Sequence, residues 1–255
     1  MKTNEDEDRE NHFRARSVGE VLEEWPHMHY LYIAEVREVI FRGIWPPINA
    51  MDSSLELLEE CVILSLSKNM IEKISGLIGL RNLKVLSLAQ NNIKSLKGLE
   101  DAGNTLEVLI IARNFLKETE GIEDLYKLKE LDISYNYINQ LNEFTRIGSC
   151  KDLKSLAFKE NPLATKYPDN IWREEALKLL PQLETFDYIK VEENEKYFNP
   201  PTSEFFKMKE DILFKSPEYK VYNDMFKEAE EEILKLKNIE TDYEEVCSSD
   251  TSLST

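Results

Sequence analysis

The side chains in this chain that could do chemistry are few, and their spacing does not gather them. His27-x-His29 is a pair of the kind that ligates zinc. A zinc site needs further His, Cys or carboxylate ligands, and no suitable cluster follows, so the pair reads as cap surface. Glu130 and Asp132 form a close acid pair. No nucleophile or convergent His stands near them in sequence to make acid–base work. Cys61, Cys150 and Cys247 show no CxxC spacing and no paired framework. Cys61 falls on an apolar frame position and should act as a small hydrophobe. Ser248, Ser249, Ser252 and Ser254 lie among acids and could accept phosphate, but they read first as a solvated tail. The expectation is a chain with no catalytic residue, metal or cofactor.

The residue type that does recur is asparagine. Asn69, Asn91, Asn114, Asn136 and Asn161 follow one another at steps of 22, 23, 22 and 25 residues. Each closes the same frame: apolar, two spacers, apolar, one spacer, apolar, two spacers, Asn, one spacer, apolar. The frames begin at Cys61, Leu83, Leu106, Leu128 and Leu153. In Leu86-x-Leu88 the alternation is that of a short strand with one buried face. An Asn just past the strand can bond to backbone groups that the turn leaves unpaired. One coil cannot bury its own core, so the coils must stack. This is the leucine-rich repeat at the short end of its length range, an α/β solenoid with a parallel sheet face and helical N- and C-terminal caps. Strands are expected within Ile63–Leu66, Val85–Leu88, Val108–Ile111, Glu130–Ile133 and Ser155–Phe158.

The same alternation names the outward positions. They are Ser65 and Ser67, Ser87 and Ala89, Val108, Ile110 and Ala112, Glu130, Asp132 and Ser134, and Ala157 and Lys159. Most are small, which predicts a shallow, accessible face with Ile110 as its large apolar exception. Arg113, Phe115, Tyr135 and Tyr137 lie near the strand exits. An apolar centre beside Arg and Tyr has the composition of a binding hot spot.

Domain organisation follows from the repeats. Residues 1–12 read as a disordered acidic N-terminus and 13–60 as an N-terminal helical cap. Within the cap, Ser17–Glu20 and Ser53–Glu56 fit capping boxes, Pro26 should end or bend the first helix, and 30–41 has a helical or mixed pattern. Repeats occupy 61–163 and a C-terminal cap 164–191. The remainder, 192–255, reads as an acidic, partly helical tail with a stripe at Tyr222, Phe226, Ala229, Ile233 and Leu236. The net charge of −17 argues against a nucleic-acid partner, since phosphate binding draws on clustered Lys and Arg. No stretch reaches membrane-spanning length, and the cysteine usage suits a reducing compartment, so a soluble intracellular protein is expected.

Several stretches are more specific than repeat leucines. Gly43-Ile44-Trp45-Pro46-Pro47-Ile48 with Met51-Asp52 is one. Leu64-Ser65-Leu66-Ser67-Lys68-Asn69 leading to Ile71-Glu72-Lys73-Ile74 is another. Asn91-Asn92-Ile93-Lys94, Leu99-Glu100, Thr105-Leu106-Glu107, Asn161-Pro162-Leu163 and Leu180-Pro181-x-Leu183 continue the pattern. Over roughly residues 17–191 the chain resembles the leucine-rich-repeat light chains of axonemal outer-arm dynein. The resemblance implies a non-enzymatic, monomeric light chain within a larger complex. It would bind the motor unit of a dynein heavy chain at or near the microtubule-binding stalk tip and regulate motility in the axoneme of a cilium or flagellum. Two departures stand out. The family usually carries a Trp on the sheet face where this chain has Ile110, and the tail beyond about residue 195 is longer than the family's usual end. Tubulin would be affected indirectly, or through a basic edge made of Arg146, Lys151, Lys154, Lys159, Lys166 and Arg173. A leucine-rich-repeat regulatory subunit of a protein phosphatase is the alternative, without the cap motif and with more repeats. A spliceosomal leucine-rich protein is a third reading.

Overall fold

The apolar frame sets the path of the chain. In the computed structural model, which describes residues 14–29 and 33–196, each frame builds one short strand. They are β4 (Ile63–Ser65), β5 (Val85–Ser87), β6 (Val108–Ile110), β7 (Glu130–Asp132) and β8 (Ser155–Ala157). Adjacent coils pair in parallel with no slip. Leu64, Leu86, Leu109, Leu131, Leu156 and Phe186 stand opposite one another across the sheet. None of these six side chains is more than 2% exposed. At about 1.5–3 kcal/mol for each fully buried side chain, this column supplies much of the force that stacks the coils.

The strands end one residue earlier than the alternation predicts, before Leu66, Leu88, Ile111, Ile133 and Phe158. The hydrogen bonding nevertheless runs on: Leu66 N–H donates to Ser87 O at 2.8 Å and Lys68 N–H to Ala89 O at 2.8 Å. What ends the strand is a backbone turn at the residue before each Asn. Lys68, Gln90, Arg113, Tyr135 and Glu160 all adopt left-handed φ, between 55° and 59°. None is glycine, so each carries a strain of about 1–2 kcal/mol that the coil must offset.

The offset comes from the asparagines. All five are buried. Asn114 Oδ1 accepts the N–H of Ile93 in the preceding coil at 3.0 Å, while its Nδ2 donates to Leu88 O at 2.9 Å and Ile111 O at 3.0 Å. Asn91 repeats the scheme with Ile71, Leu66 and Leu88, and Asn136 with Leu116, Ile111 and Ile133. Asn69 extends it into the cap through Ile48 N–H and Phe41 O, and Asn161 closes it with Ile138, Ile133 and Phe158. Each side chain thus pairs backbone groups of its own coil and of the one before.

The N-terminal cap differs from expectation in two ways. The Ser17–Glu20 box forms, with Ser17 N–H donating to Glu20 at 2.8 Å and Glu20 N–H to Ser17 Oγ at 3.3 Å. It is joined to a two-residue strand β1 (Arg16–Ser17) and opens helix α1 (Val18–His29), which continues through Pro26 rather than ending there. The second helix start is capped by Asp52, whose carboxylate accepts Ser54 N–H at 3.0 Å, one residue earlier than the expected Ser53 box. The 30–41 segment is mixed, as its pattern allows: a single 3-10 turn at Ile33–Glu35 is followed by β2 (Glu38–Ile40), which pairs with β4 and adds a strand to the sheet. β3 (Ile48–Ala50) pairs with β1 apart from the main sheet.

At the other end α2 (Leu141–Arg146), α3 (Pro162–Thr165) and α4 (Asp169–Leu179) close the core. Phe144 meets Phe158 and Trp172 edge-on at 4.9 Å each and Phe186 at 6.4 Å. The degenerate final strand β9 (Thr185–Phe186) pairs in parallel with β8, then turns through left-handed Asp187 and Tyr188 into β10 (Ile189–Lys190), antiparallel to it. That hairpin was not expected. It ends the eight-stranded sheet, ordered β10-β9-β8-β7-β6-β5-β4-β2. Asp187 Oδ1 accepts Phe158 N–H at 2.6 Å and Lys159 N–H at 2.8 Å, taking the place of a sixth coil. Its carboxyl lies above the usual range because it is buried, although those two bonds act the other way. Arg173 ties α4 to this end, donating to Phe186 O, Lys190 O and the Glu195 carboxylate.

Residues 1–13 and 197–255, and with them the expected disordered N-terminus, the Tyr222–Leu236 stripe, Cys247 and the tail serines, lie outside the described residues. So do the side chains of His27 and His29. The described cysteines are core residues: Cys61 is 0% and Cys150 3% exposed, and burial pushes both thiols up to about 11. Both should therefore resist alkylation at pH 8 in the native protein and react once it is unfolded. Peptide mapping after brief iodoacetamide treatment checks this; labelling of either residue without denaturant contradicts the core assignment.

Candidate partner-binding face

The parallel register brings the outward positions of successive coils together. Ile110 lies directly opposite Ser87 on one side and Asp132 on the other. The strand exits, turned by the left-handed residues, raise Lys68, Gln90, Arg113 and Tyr135 beside them. The result is an open concave groove of about 400 Å³ across the sheet. Ser67, Ser87, Ala89, Ile110 and Ala112 form its floor. Arg113, Asp132, Ser134, Tyr135 and Lys159 line it further along. Of the expected outward positions, Ser65, Val108, Glu130 and Ala157 are not among its lining residues.

The face is less accessible than its small side chains suggest. Ser67 is 7%, Ala112 8%, Ser134 1% and Ala157 4% exposed, so these four are buried. Ile110 and Val108 are half-buried rather than prominent. The cause is local crowding on a concave surface. Ser134 sits beneath the Asp132 carboxylate, to which its N–H and O–H donate at 3.1 and 2.6 Å. Ser65 and Ser67 share a hydrogen bond of 2.8 Å. Arg113 lies over the Tyr135 ring at 4.0 Å, and Lys159 over the Tyr188 ring at 4.9 Å. Phe115 and Tyr137, expected near the exits, stack on each other at 5.6 Å.

Arg42, Lys68, Gln90 and Tyr188 also line the groove and were missed from sequence. Lys68 and Gln90 occupy the frame position immediately before the Asn, the same position as Arg113 and Tyr135, so the repeat itself could have named them. Arg42 and Tyr188 come from the caps, where no frame applies. Tyr188 O–H donates to Asp132 at 2.8 Å across the last two coils. The Glu130–Asp132 acid pair is divided by this arrangement: Asp132 points into the groove, while Glu130 is exposed at the other end of β7. Among the described residues no group of three or more His, Cys, Asp and Glu is placed to hold a metal ion, and no helix is long and apolar enough to cross a membrane.

The repeats match the family model for leucine-rich repeats in two copies over residues 60–101. The human protein named dynein axonemal light chain 1 is 45% identical over 175 residues, spanning 68% of this chain and 92% of the relative. The chain belongs to the dynein axonemal light chain 1 family. A relative of that name from Xenopus laevis is 45% identical over 186 residues, 71% of this chain and 97% of its own length. One from Chlamydomonas reinhardtii is 35% identical over 187 residues, 72% of this chain and 94% of its own length. In these alignments more than a quarter of this chain extends beyond the shared region.

Of the six cations expected to make a basic edge on this light chain, three have acid partners. Lys154 pairs with Glu184 at 3.0 Å and Arg173 with Glu195 at 2.7 Å. Arg146 faces Glu143 at 3.8 Å, Lys151 donates to Gly148 O at 3.1 Å and Lys166 to Asn139 O at 3.0 Å. Lys159 alone of the six lines the concave groove. At the opposite rim Glu107 bridges Lys84 at 3.0 Å and Lys129 at 2.6 Å. Hydrogen bonds from the two ammonium groups hold its carboxyl down at about 2. The carbonyl contacts of Lys151 and Lys166 leave their charge in place, while Lys154, Arg146 and Arg173 have theirs offset by a carboxylate.

Proposed function

We propose that this chain is a non-enzymatic light chain of axonemal outer-arm dynein in a cilium or flagellum. It holds the motor unit of a heavy chain at or near the microtubule-binding stalk tip and regulates motility. The observation that carries the reading is the groove over β4 to β8, in a chain related along nearly the whole length of light chains from animals and an alga. The relatives' shared name supports association with dynein and a place in the axoneme. A solenoid held rigid by a buried Asn ladder is suited to this task, because a preformed face loses little entropy on binding. Any effect on tubulin passes through the heavy chain, since the chain as a whole is acidic and its mean field opposes an acidic track.

Co-purification of the tagged full chain from ciliated cells, with mass spectrometry of what is retained, tests this reading. An outer-arm heavy chain should be enriched. A phosphatase catalytic subunit in its place would establish the alternative.

A further inference from the structure

The concave groove carries the opposite charge to the chain around it. The protein has a net charge of −17, yet four cations, Arg42, Lys68, Arg113 and Lys159, line the groove against one carboxylate, Asp132. Among the described residues none of these four comes within 4.0 Å of a carboxylate oxygen, whereas Lys84, Lys129, Lys154, Arg173 and Lys178 all do; Lys159 is near enough to Asp187 to favour the charged form of that carboxyl. The single carboxylate is already engaged, accepting from Ser134 and from Tyr188 O–H. Arg113 and Lys159 are held over the Tyr135 and Tyr188 rings, which position a cation without neutralising it. Lys68 and Arg113 stand on left-handed backbone, so the repeat turn fixes where they emerge. A concavity lined mainly by one sign of charge concentrates its field and attracts the opposite charge.

We propose that the groove takes a carboxylate-rich segment of the partner protein, laid across the strand exits with its Glu or Asp side chains on Arg113, Lys68 and Lys159. This rests on the reading that the face holds a protein partner. A guanidinium can take a carboxylate bidentately, and Ile110 offers the half-buried apolar contact between the charged positions. Phosphate polymers fit less well. Arg113 and Lys159 each occupy one face of the Tyr135 and Tyr188 rings, which competes with base stacking there, and a long polyanion would run out over an acidic surface. Beyond about 8–10 Å that surface is screened at physiological salt, so a short acidic segment meets mainly the groove.

The test is fluorescence anisotropy with the full chain and three labelled probes: a short glutamate-rich peptide, its glutamine counterpart, and an oligothymidylate of equal length. The glutamate peptide should bind at least about tenfold more tightly than the other two, more weakly as salt rises. Combined Arg113→Glu and Lys159→Glu should abolish that preference, Arg113→Gln should reduce it, and Lys97→Glu, at an exposed residue away from the groove, should leave it intact. Thermal melts confirm that each variant is folded. Equal binding of the two peptides, tighter binding of the oligothymidylate, or indifference to both groove variants would overturn the proposal. A heavy-chain stalk-tip domain is titrated in parallel. If it binds while the glutamate peptide does not, the carboxylate preference fails and the partner face stands. If the peptide binds and the domain does not, the groove chemistry stands and the dynein assignment fails.

Discussion

Asn161→Leu is expected to destabilise the protein more than Asn114→Leu, although both replace the same residue at the same frame position. The reason is redundancy in the ladder. In an interior coil each strand-exit carbonyl receives two side-chain amides: Leu88 O from Asn91 and Asn114, and Ile111 O from Asn114 and Asn136. Losing Asn114 therefore orphans one buried group, the Ile93 N–H. An unsatisfied buried amide costs about 1–3 kcal/mol. Asn161 is the last of the series. Its removal orphans Ile138 N–H and also Phe158 O, which no later Asn reaches. A cost on the order of 3–5 kcal/mol follows for Asn161→Leu. At about 2–4 °C per kcal/mol for a protein of this size, the melting temperature should fall by roughly 6–20 °C. Asn114→Leu should fall by about half as much or less. Equal shifts for the two variants would show that the ladder is not redundant.

Phe144→Ala should be comparably severe, for a different reason. Phe144 is 0% exposed and stands at the centre of the aromatic group that joins α2, the last repeat and α4. Truncation removes the edge contacts to Phe158 and Trp172 and leaves a void that close-packed neighbours cannot fill. Large-to-small changes at such sites cost about 3–5 kcal/mol. Chemical denaturation should show a lower midpoint with little change in slope. Because the damage lies at the C-terminal closure, amide exchange should rise first in β8 and β9 and only later in β4 and β5, as stacked repeats couple mainly to their neighbours. Uniform loss of protection along the sheet would contradict that order.

The repeat array was legible because its period is physical. A strand with one buried face, a turn that needs an amide and a core shared between coils together fix which residues can stand where, and Leu86, Asn91 and Ile110 each declare their role by spacing alone. The caps have no period to read. Apolar residues at 32, 33, 36, 40 and 41 were compatible with a helix, but the exposed edge of β4 accepts Val39 as a further strand, and tertiary pairing overrides local pattern. The β9–β10 hairpin was hidden for the same reason, since it exists to end a sheet. On the candidate face, alternation named the outward residues but not their accessibility. Ser134 and Ser67 are buried by their neighbours, and that depends on curvature and on side chains such as Tyr188, which reaches Asp132 from two strands away. The left-handed residue before each Asn was legible in principle from its fixed position, yet its types, Lys, Gln, Arg, Tyr and Glu, share no chemistry that would announce a special φ.

The central claim is that the sheet face around Ile110 holds a dynein heavy chain. Ile110→Asp tests it most directly. The inward leucines are untouched. The new carboxylate faces Asp132 on the adjacent strand, a repulsion set against the cations that line the same groove, so stability should stay near that of the unmodified chain. It also removes the apolar contact and opposes the cations of the groove. In a titration against the stalk-tip domain of an outer-arm heavy chain, the variant should bind at least tenfold more weakly than the unmodified chain, a loss of about 1.4 kcal/mol or more. Unchanged affinity in a folded Ile110→Asp protein would contradict the account and move the contact off the concave face.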